Sequence, residues 1–482
     1  MAPKYDIGLI GLGVMGANFA LNVADHGFSI ACYDKDASKV KNIQELNRPE
    51  IYAAETLEEF LAVLKLPRCV MLLIPAGLPV DKVLVEVVPF LQKGDCVLDG
   101  GNSYYKDTTV RAKHLSEQGI YFLGMGISGG EEGARKGPSL MPGGQRDAYE
   151  RIAPILEAVA AKVDGVPCVS YLGPGSAGHF VKMVHNGIEY ALMQLISETY
   201  DVMKRFLSFD DDALSEIYAE WNQGELAGYL LEITSNIFKK QDDKTGKRLV
   251  DQILGVAEQK GTGMWTTQSA MELQVPSPTI DVAVGMRDLS MQEEIRHQGS
   301  QMLSHTLRSY KGDKQKFLEL LRNSFYVGMA AAFAQGFAIL KRASERLAFD
   351  LKLETVATLW RGGCIIRAAF LEEIRKAYQT QNHLPHLLLD PEISRKILAK
   401  EESLRRFLAA AIEAGVPVPG FLSVLGYLDS LRSEWLPDNL IQAQRDYFGA
   451  HTYERKDEKG TFHTNWTPQL ESAVSREFAS RH

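Results

Sequence analysis

The sequence predicts an α/β chain. It has an N-terminal doubly wound, mainly parallel sheet, a large all-α part and an extended C-terminal tail. Three observations carry this. Short apolar runs recur at βα spacing through the first third of the chain. From residue 178 the strand signal nearly vanishes and long patterns of period 3.6 replace it. Near residue 441 the periodicity fades again. The predicted segments are 1–177, 178–440 and 441–482.

The first element is an apolar strand at 5–10. It is followed at once by Gly11-Leu12-Gly13-Val14-Met15-Gly16 and a helical pattern (Ala17, Phe19, Ala20, Leu21, Val23). Strand, G-x-G-x-x-G, helix is the order of a dinucleotide-binding turn. The first glycine makes the turn, the second lets the backbone approach a pyrophosphate, and the third lets helix and strand pack closely. The competing reading is an ordinary glycine-rich βα turn. A second strand, 29–33, ends at Asp34, with Lys35 and Asp36 next. Further strands at 69–74, 96–99, 121–123 and 168–171 complete a Rossmann-type domain. Such sheets bind ligands at the carboxyl ends of their strands. Three segments leave those ends: Pro75-Ala76-Gly77, Gly100-Gly101-Asn102-Ser103, and Ser128-Gly129-Gly130-Glu131-Glu132-Gly133. The last two suit backbone donors lying against a polar ligand, or are simple turns.

Helical patterns cover 178–205, 211–240, 250–260, 290–310, 315–345, 350–378, 390–414 and 418–431. The stretches 178–205 and 318–345 are candidates for duplicated units. In the first, Ser176 is a suitable N-cap. Lys182, His185, Asn186, Glu189 and Tyr190 then fall at i, i+3, i+4, i+7 and i+8, one face of a helix. A stripe of this kind is either an acid–base tool set on a rigid element or a solvated face with side-chain pairs. The tail after Asn439 carries Tyr447, Phe448, Phe462 and Trp466 with little periodicity. Docking on a partner subunit would bury these rings.

Composition excludes some partners. The net charge of −8 argues against nucleic acid and anionic membranes as main partners. The apolar fraction, 45%, is that of a soluble globular protein. No run of about 18 apolar residues predicts a membrane span, and the start of the chain has no signal-peptide pattern. Cys32, Cys69, Cys96, Cys168 and Cys364 are odd in number and lie mostly in apolar segments. They read as reduced thiols in a cytoplasmic protein, and nothing has Cys/His metal-ligand spacing.

Several separate motifs resemble the 6-phosphogluconate dehydrogenase family, over essentially the whole chain. They are Gly11–Gly16, Asp99–Ser103, Gly126–Gly130, Lys182–Tyr190, Lys260-Gly261-Thr262-Gly263, Trp360–Arg367 and Gln444–His451. The resemblance implies oxidative decarboxylation of 6-phosphogluconate to ribulose 5-phosphate and CO2 with reduction of NAD or NADP, in the pentose phosphate pathway and without a metal. It assigns Lys182 to oxygen protonation and deprotonation and Glu189 to protonation of carbon. It implies that Asn102, Ser128, Gly129, Gly130, His185 and Asn186 hold the hydroxyl and carboxylate end of the substrate. Tyr190, Lys260, Arg287 and Arg445 would hold the phosphate, with His451 closing the site. It implies a homodimer in which Arg445 and His451 come from the other subunit. The dinucleotide would lie against Gly11, Leu12, Gly13, Val14, Met15, Gly16, Asp34, Lys35, Asp36, Ile74, Pro75, Ala76 and Asn102.

The chain departs from the family at three places. Asp34-Lys35-Asp36 stands where NADP-specific members usually have Asn-Arg-Thr. An acidic residue about 18–20 positions past the last glycine is the usual ligand of the ribose 2′-hydroxyl in NAD enzymes. It would repel a 2′-phosphate by about 1–2 kcal/mol after screening, so NAD is expected over NADP. Pro75 and Met264 stand where lysines are common, and are read as tuning. Two rival readings are a β-hydroxyacid dehydrogenase for another acid and a nucleotide sensor that no longer turns over. The first would not need Lys260, Arg287, Arg445 and His451 together. The second predicts loss of Lys182 or Glu189, and both are present.

Overall fold

The first strand, β1 (Ile7–Ile10), is buried along its whole length, as a strand covered by helices on both faces requires. The structure, a computed structural model, describes residues 4–466. Residues 1–3, part of the stretch read as lacking a leader, and residues 467–482 of the predicted tail lie outside the described residues. The chain divides into two compact units between Leu425 and Gly426.

In the first unit, helix α1 (Val14–Asp25) follows β1, then β2 (Ile30–Tyr33), α2 (Ala37–Gln44), β3 (Ile51–Ala53), α3 (Leu57–Ala62) and β4 (Cys69–Leu72). Next come α4 (Leu78–Val87), β5 (Cys96–Asp99), α5 (Tyr105–Glu117), β6 (Tyr121–Ser128), α6 (Gly130–Lys136), β7 (Ser139–Gly143) and α7 (Arg146–Val159). The sheet order is β3-β2-β1-β4-β5-β6-β7. All neighbours pair in parallel except β6 and β7. The order reverses at β1 and β4, the switch point beside which such sheets place their ligands. Successive strand residues alternate between two cores. Leu9, Met71 and Leu98 face one, and Ile10, Val70, Leu72 and Val97 the other.

The helical region runs from α8 (Ala177–Asp201) through α9 (Asp211–Trp221), α10 (Tyr229–Lys239), α11 (Thr262–Glu272), α12 (Pro278–Ser290) and α13 (Glu293–Met302). It continues with α14 (Lys314–Arg346), α15 (Leu353–Trp360), α16 (Phe370–Thr380), α17 (Pro391–Ala414) and α18 (Pro419–Leu431). Helix α14 is long and apolar enough to cross a membrane, but 89% of its most apolar window is buried inside the protein. It packs on α8 and α17. Helix α8 also packs on β6 and β7 and so joins the helical region to the sheet. In the second unit, α19 (Asp438–Gly449) is followed by a two-stranded pairing of Tyr453–Glu454 with Thr461–Phe462.

Some local expectations fail for identifiable reasons. Ser176 occupies the cap position of α8, but its side chain makes no capping bond and accepts from Thr109 Oγ1 at 2.9 Å. Ser128 ends β6 and Gly130 begins α6, so the 128–133 stretch is a strand-to-helix junction rather than a loop. Segment 250–260 holds only a short 3₁₀ turn at Leu249–Gln252. The patterns over 211–240 and 350–378 each break into two helices, near Gly224–Gly228 and Gly362–Gly363. Of 168–171, only Val169 bridges, to Leu140.

Candidate active site

The glycine turn lies at the switch point. A Cβ at Gly16 would stand 1.9 Å from the Gly11 carbonyl oxygen, so only glycine lets α1 start this close to the turn. Among the described residues, nothing lies within 4 Å of the same position at Gly13, the N-cap of α1, and no side chain caps that helix. The open face leaves the first amides of α1 for an anionic ligand. Asp34 follows β2. Its Oδ2 accepts from the Leu12 amide at 2.7 Å and its Oδ1 from the Asp36 amide at 2.9 Å. The Lys39 ammonium is 3.6 Å from Oδ2. The carboxylate is thus oriented by the turn itself and keeps lone pairs free. Lys35 points elsewhere, to Glu86 at 2.7 Å. Ile74, Pro75 and Ala76 lie between β4 and α4. Asn102 is exposed in the loop after β5. These residues fit a dinucleotide.

The polar stripe is not a solvated face. On α8, Lys182 is 5% exposed, His185 0%, Asn186 8% and Tyr190 6%. The Glu189 side chain keeps 21%. Lys182 crosses β6 at Gly126, where a Cβ would stand 2.2 Å from the Lys182 Cβ. A hydrogen-bonded chain orients the middle of the stripe. Asn186 Nδ2 donates to Thr262 Oγ1 at 3.1 Å, and the Asn186 Oδ1 is 2.9 Å from His185 Nδ1. His185 Nε2 is 3.2 Å from Ser128 Oγ. With Oδ1 able only to accept, His185 carries its proton on Nδ1 and accepts from Ser128 on Nε2. Burial holds the His185 pKa well below its usual value, Lys182 pushes it further down, and the bond to Asn186 opposes both. Ser128 Oγ also accepts from the Ile365 amide at 3.3 Å.

Burial lowers the pKa of the Lys182 amine, partly offset by Glu189 and the Cys364 thiol. Burial likewise raises the Glu189 carboxyl, partly offset by Lys182 and Arg287. An amine pushed down and an acid pushed up on one helix face bring the two groups closer together in proton affinity, as proton exchange requires. Tyr190 packs against Ala283 and Val284, and the Arg287 guanidinium stacks 3.4 Å from its ring centroid. Lys260 is exposed just before α11.

The structure therefore gathers Lys182, His185, Asn186, Glu189, Tyr190, Ser128 and Arg287 around α8. Arg445 lies on α19 in the second unit, exposed and paired with Gln442 Oε1 at 3.0 Å. His451 is exposed in the same unit. Thr262, Trp360, Cys364 and Ile365 also surround the stripe. Trp360 meets the His185 ring edge-on at 5.6 Å between centroids. They lie in quoted motifs, but hydroxyl, thiol and backbone groups give no acid–base signal in a sequence.

Fold and site together define an NAD(P)-binding oxidoreductase of Rossmann type. Known proteins resolve the class further. The family description "NAD binding domain of 6-phosphogluconate dehydrogenase" matches residues 6–173, and "6-phosphogluconate dehydrogenase, C-terminal domain" matches 178–466. The NADP(+)-dependent, decarboxylating 6-phosphogluconate dehydrogenase of Bacillus subtilis is 50% identical over 96% of this chain and 99% of its own. A decarboxylating 6-phosphogluconate dehydrogenase of Spinacia oleracea is 46% identical over 98% of this chain and 100% of its own. The solved 6-phosphogluconate dehydrogenase of Plasmodium falciparum superposes with a TM-score of 0.92 at 44% identity, covering 96% and 100%. The chain belongs to the 6-phosphogluconate dehydrogenase family.

Proposed function

We propose that the protein converts 6-phosphogluconate to ribulose 5-phosphate and CO2 with reduction of a nicotinamide dinucleotide. The observation that carries this reading is that buried Lys182 and partly buried Glu189 share one face of α8, with burial pushing the amine down and the carboxyl up. When bound, the nicotinamide accepts the hydride from C3 of the substrate. Lys182, lowered toward neutrality by burial, takes the proton of the 3-hydroxyl. It then returns it to the ketone oxygen as the β-keto acid loses CO2. Glu189, raised by burial, donates the proton that C1 of the enediol needs, while Lys182 takes back the proton of the C2 hydroxyl as the ketone forms. His185 and Asn186, fixed by Ser128 and Thr262, hold hydroxyls of the substrate, with Asn102 and the Ser128-Gly129-Gly130 turn at the carboxylate end. Tyr190, Lys260 and Arg287 take the phosphate.

Gly11 to Gly16, Asp34, Lys35, Asp36, Ile74, Pro75, Ala76 and Asn102 form the dinucleotide site. Asp34, already oriented by the Leu12 amide, suits two ribose hydroxyls, so the reading favours NAD over NADP. The Bacillus subtilis relative is NADP(+)-dependent and the Plasmodium falciparum protein was solved with its cofactor NADP+, so both dinucleotides belong in the assay. The tail reading makes the protein a homodimer, with Arg445 and His451 completing the phosphate site of the other subunit. Release of CO2 from 6-phosphogluconate with either cofactor tests the reaction. A kcat/KM that favours NADP about tenfold or more, a difference of about 1.4 kcal/mol, would overturn the preference. Mixing inactive Lys182→Ala and Arg445→Ala subunits restores activity only if sites are shared between chains.

A further inference from the structure

We propose that Arg111 is a positioning residue that holds the cofactor loop and the substrate loop in register. This rests on the reading above, in which residues 74–76 border the nicotinamide and Asn102 meets the substrate. Arg111 lies on α5 and is 6% exposed. Its Nε donates to Asp81 Oδ1 at 2.7 Å, and its Nη2 donates to the Gly77 carbonyl at 3.0 Å. Gly77 is the N-cap of α4 and Asp81 lies in its first turn, directly after the 74–76 loop that leaves β4. Among the described residues its Nη1 has no hydrogen-bond partner, and it stands 3.7 Å from Asp99 Oδ2.

Asp99 organises the other loop. It is fully buried, and its Oδ1 accepts from the Gly101 amide at 3.0 Å and its Oδ2 from Ser103 Oγ at 2.7 Å. Asn102 lies between those two held residues. From the α8 side Asp99 faces His179, which burial keeps neutral and whose Nδ1 is 2.7 Å from Thr108 Oγ1. Arg111 is therefore the cation at this carboxylate. A buried guanidinium nitrogen without a partner is costly. Moving the Asp99 loop about 0.8 Å toward it would complete the third bond. The guanidinium is a rigid planar fork, so two arms committed to the start of α4, where the 74–76 loop ends, fix where the third can meet the Asp99 loop. Hydride transfer needs that alignment, since small misplacements of reacting atoms are expensive.

Wild type, Arg111→Met and Ser103→Ala test this. Amide hydrogen exchange of the ligand-free protein reads segments 75–81 and 99–103. Turnover of 6-phosphogluconate reads the chemistry. In Arg111→Met, exchange is expected to rise about tenfold in both segments while the sheet strands keep wild-type rates. Its kcat falls about 10- to 100-fold, with KM for substrate and dinucleotide within about threefold of wild type. Ser103→Ala gives the same split in milder form, and decides alone if Arg111→Met does not fold. Exchange that is unchanged or confined to one segment overturns the proposal, as does a raised KM with kcat kept. If the wild type itself releases no CO2 with either cofactor, the functional reading fails, and the exchange data still decide whether Arg111 couples the loops.

Discussion

Replacing Gly126 with alanine perturbs the site without removing any functional group. Gly126 lies in β6, buried beneath α8, and the added Cβ would stand 2.2 Å from the Lys182 Cβ and 2.6 Å from its Cγ. Ordinary contact starts near 3.4 Å, so 3.4 − 2.2 leaves about 1.2 Å to be found by moving the root of Lys182 or α8 itself. The Cβ is fixed to the helix backbone, so rotation of the lysine cannot absorb the clash. Overpacking of this kind costs about 1–3 kcal/mol of stability, and a shift of about 1 Å at a reacting group costs about 100-fold in rate. Gly126→Ala is therefore expected to melt earlier and to lose about two orders of magnitude in kcat. Absorbance of the reduced nicotinamide, CO2 release and a thermal melt measure this. A variant with wild-type Tm and kcat within about twofold would refute the close approach and with it the placement of Lys182.

The other expectations concern single groups. Lys182→Met should lose about 10³-fold or more in kcat with a near-normal fold. In the wild type, activity should rise as Lys182 loses its proton, below an ordinary lysine's pH. It should fall as Glu189 loses its own, above an ordinary carboxyl's pH. Glu198, 3% exposed, accepts from the Gly420 and Phe421 amides at the start of α18. Burial raises its pKa to about 7, against bonds from Gln194 and those amides that lower it. The folded state binds this proton more tightly than the unfolded one. The contribution to stability is thus complete below about pH 4.5 and lost as pH rises to about 7, on the order of 3 kcal/mol in all. Glu198→Gln should flatten unfolding free energy against pH across that window. Asp446 is 0% exposed and accepts from His463 Nδ1, Trp466 Nε1 and the Thr464 and Thr452 amides at 2.8–3.0 Å. Burial alone would raise its pKa, but these four donors hold it lower than usual. Asp446→Asn turns one acceptor oxygen into a donor and should speed amide exchange at Thr452 and Thr464. Wild-type exchange there would refute its role as the hub of this unit.

How much could be read without coordinates depended on range along the chain. The stripe on α8 was legible because five polar residues at helical spacing form one local pattern. The glycine turn was legible because its chemistry fits in six consecutive residues. What fixes the stripe was not. Thr262 and Ile365 reach it from 76 and 237 positions away, counted from Asn186 and Ser128. Nothing in their side-chain type announces the contact. Strands β3 and β7 went unread: β3 is only three residues long, and β7 returns antiparallel at the opposite edge, outside the βα rhythm that revealed the others. Ser176 shows the opposite failure: a residue with the right propensity was engaged by Thr109 instead, a tertiary choice that local preference does not see.

Because Lys182 and Glu189 stand on one continuous helix, their spacing is that of the helix: seven residues, or about 10.5 Å along the axis. A helix does not stretch to accommodate a ligand. The span left between their functional groups is then set by the number of bonds in each side chain. Shortening either one, as in Glu189→Asp, leaves a shortfall that no loop motion can recover. On the proposed reading, the same rule limits the substrate: only an acid whose reacting oxygen and carbon match this fixed gauge would be served by both groups at once.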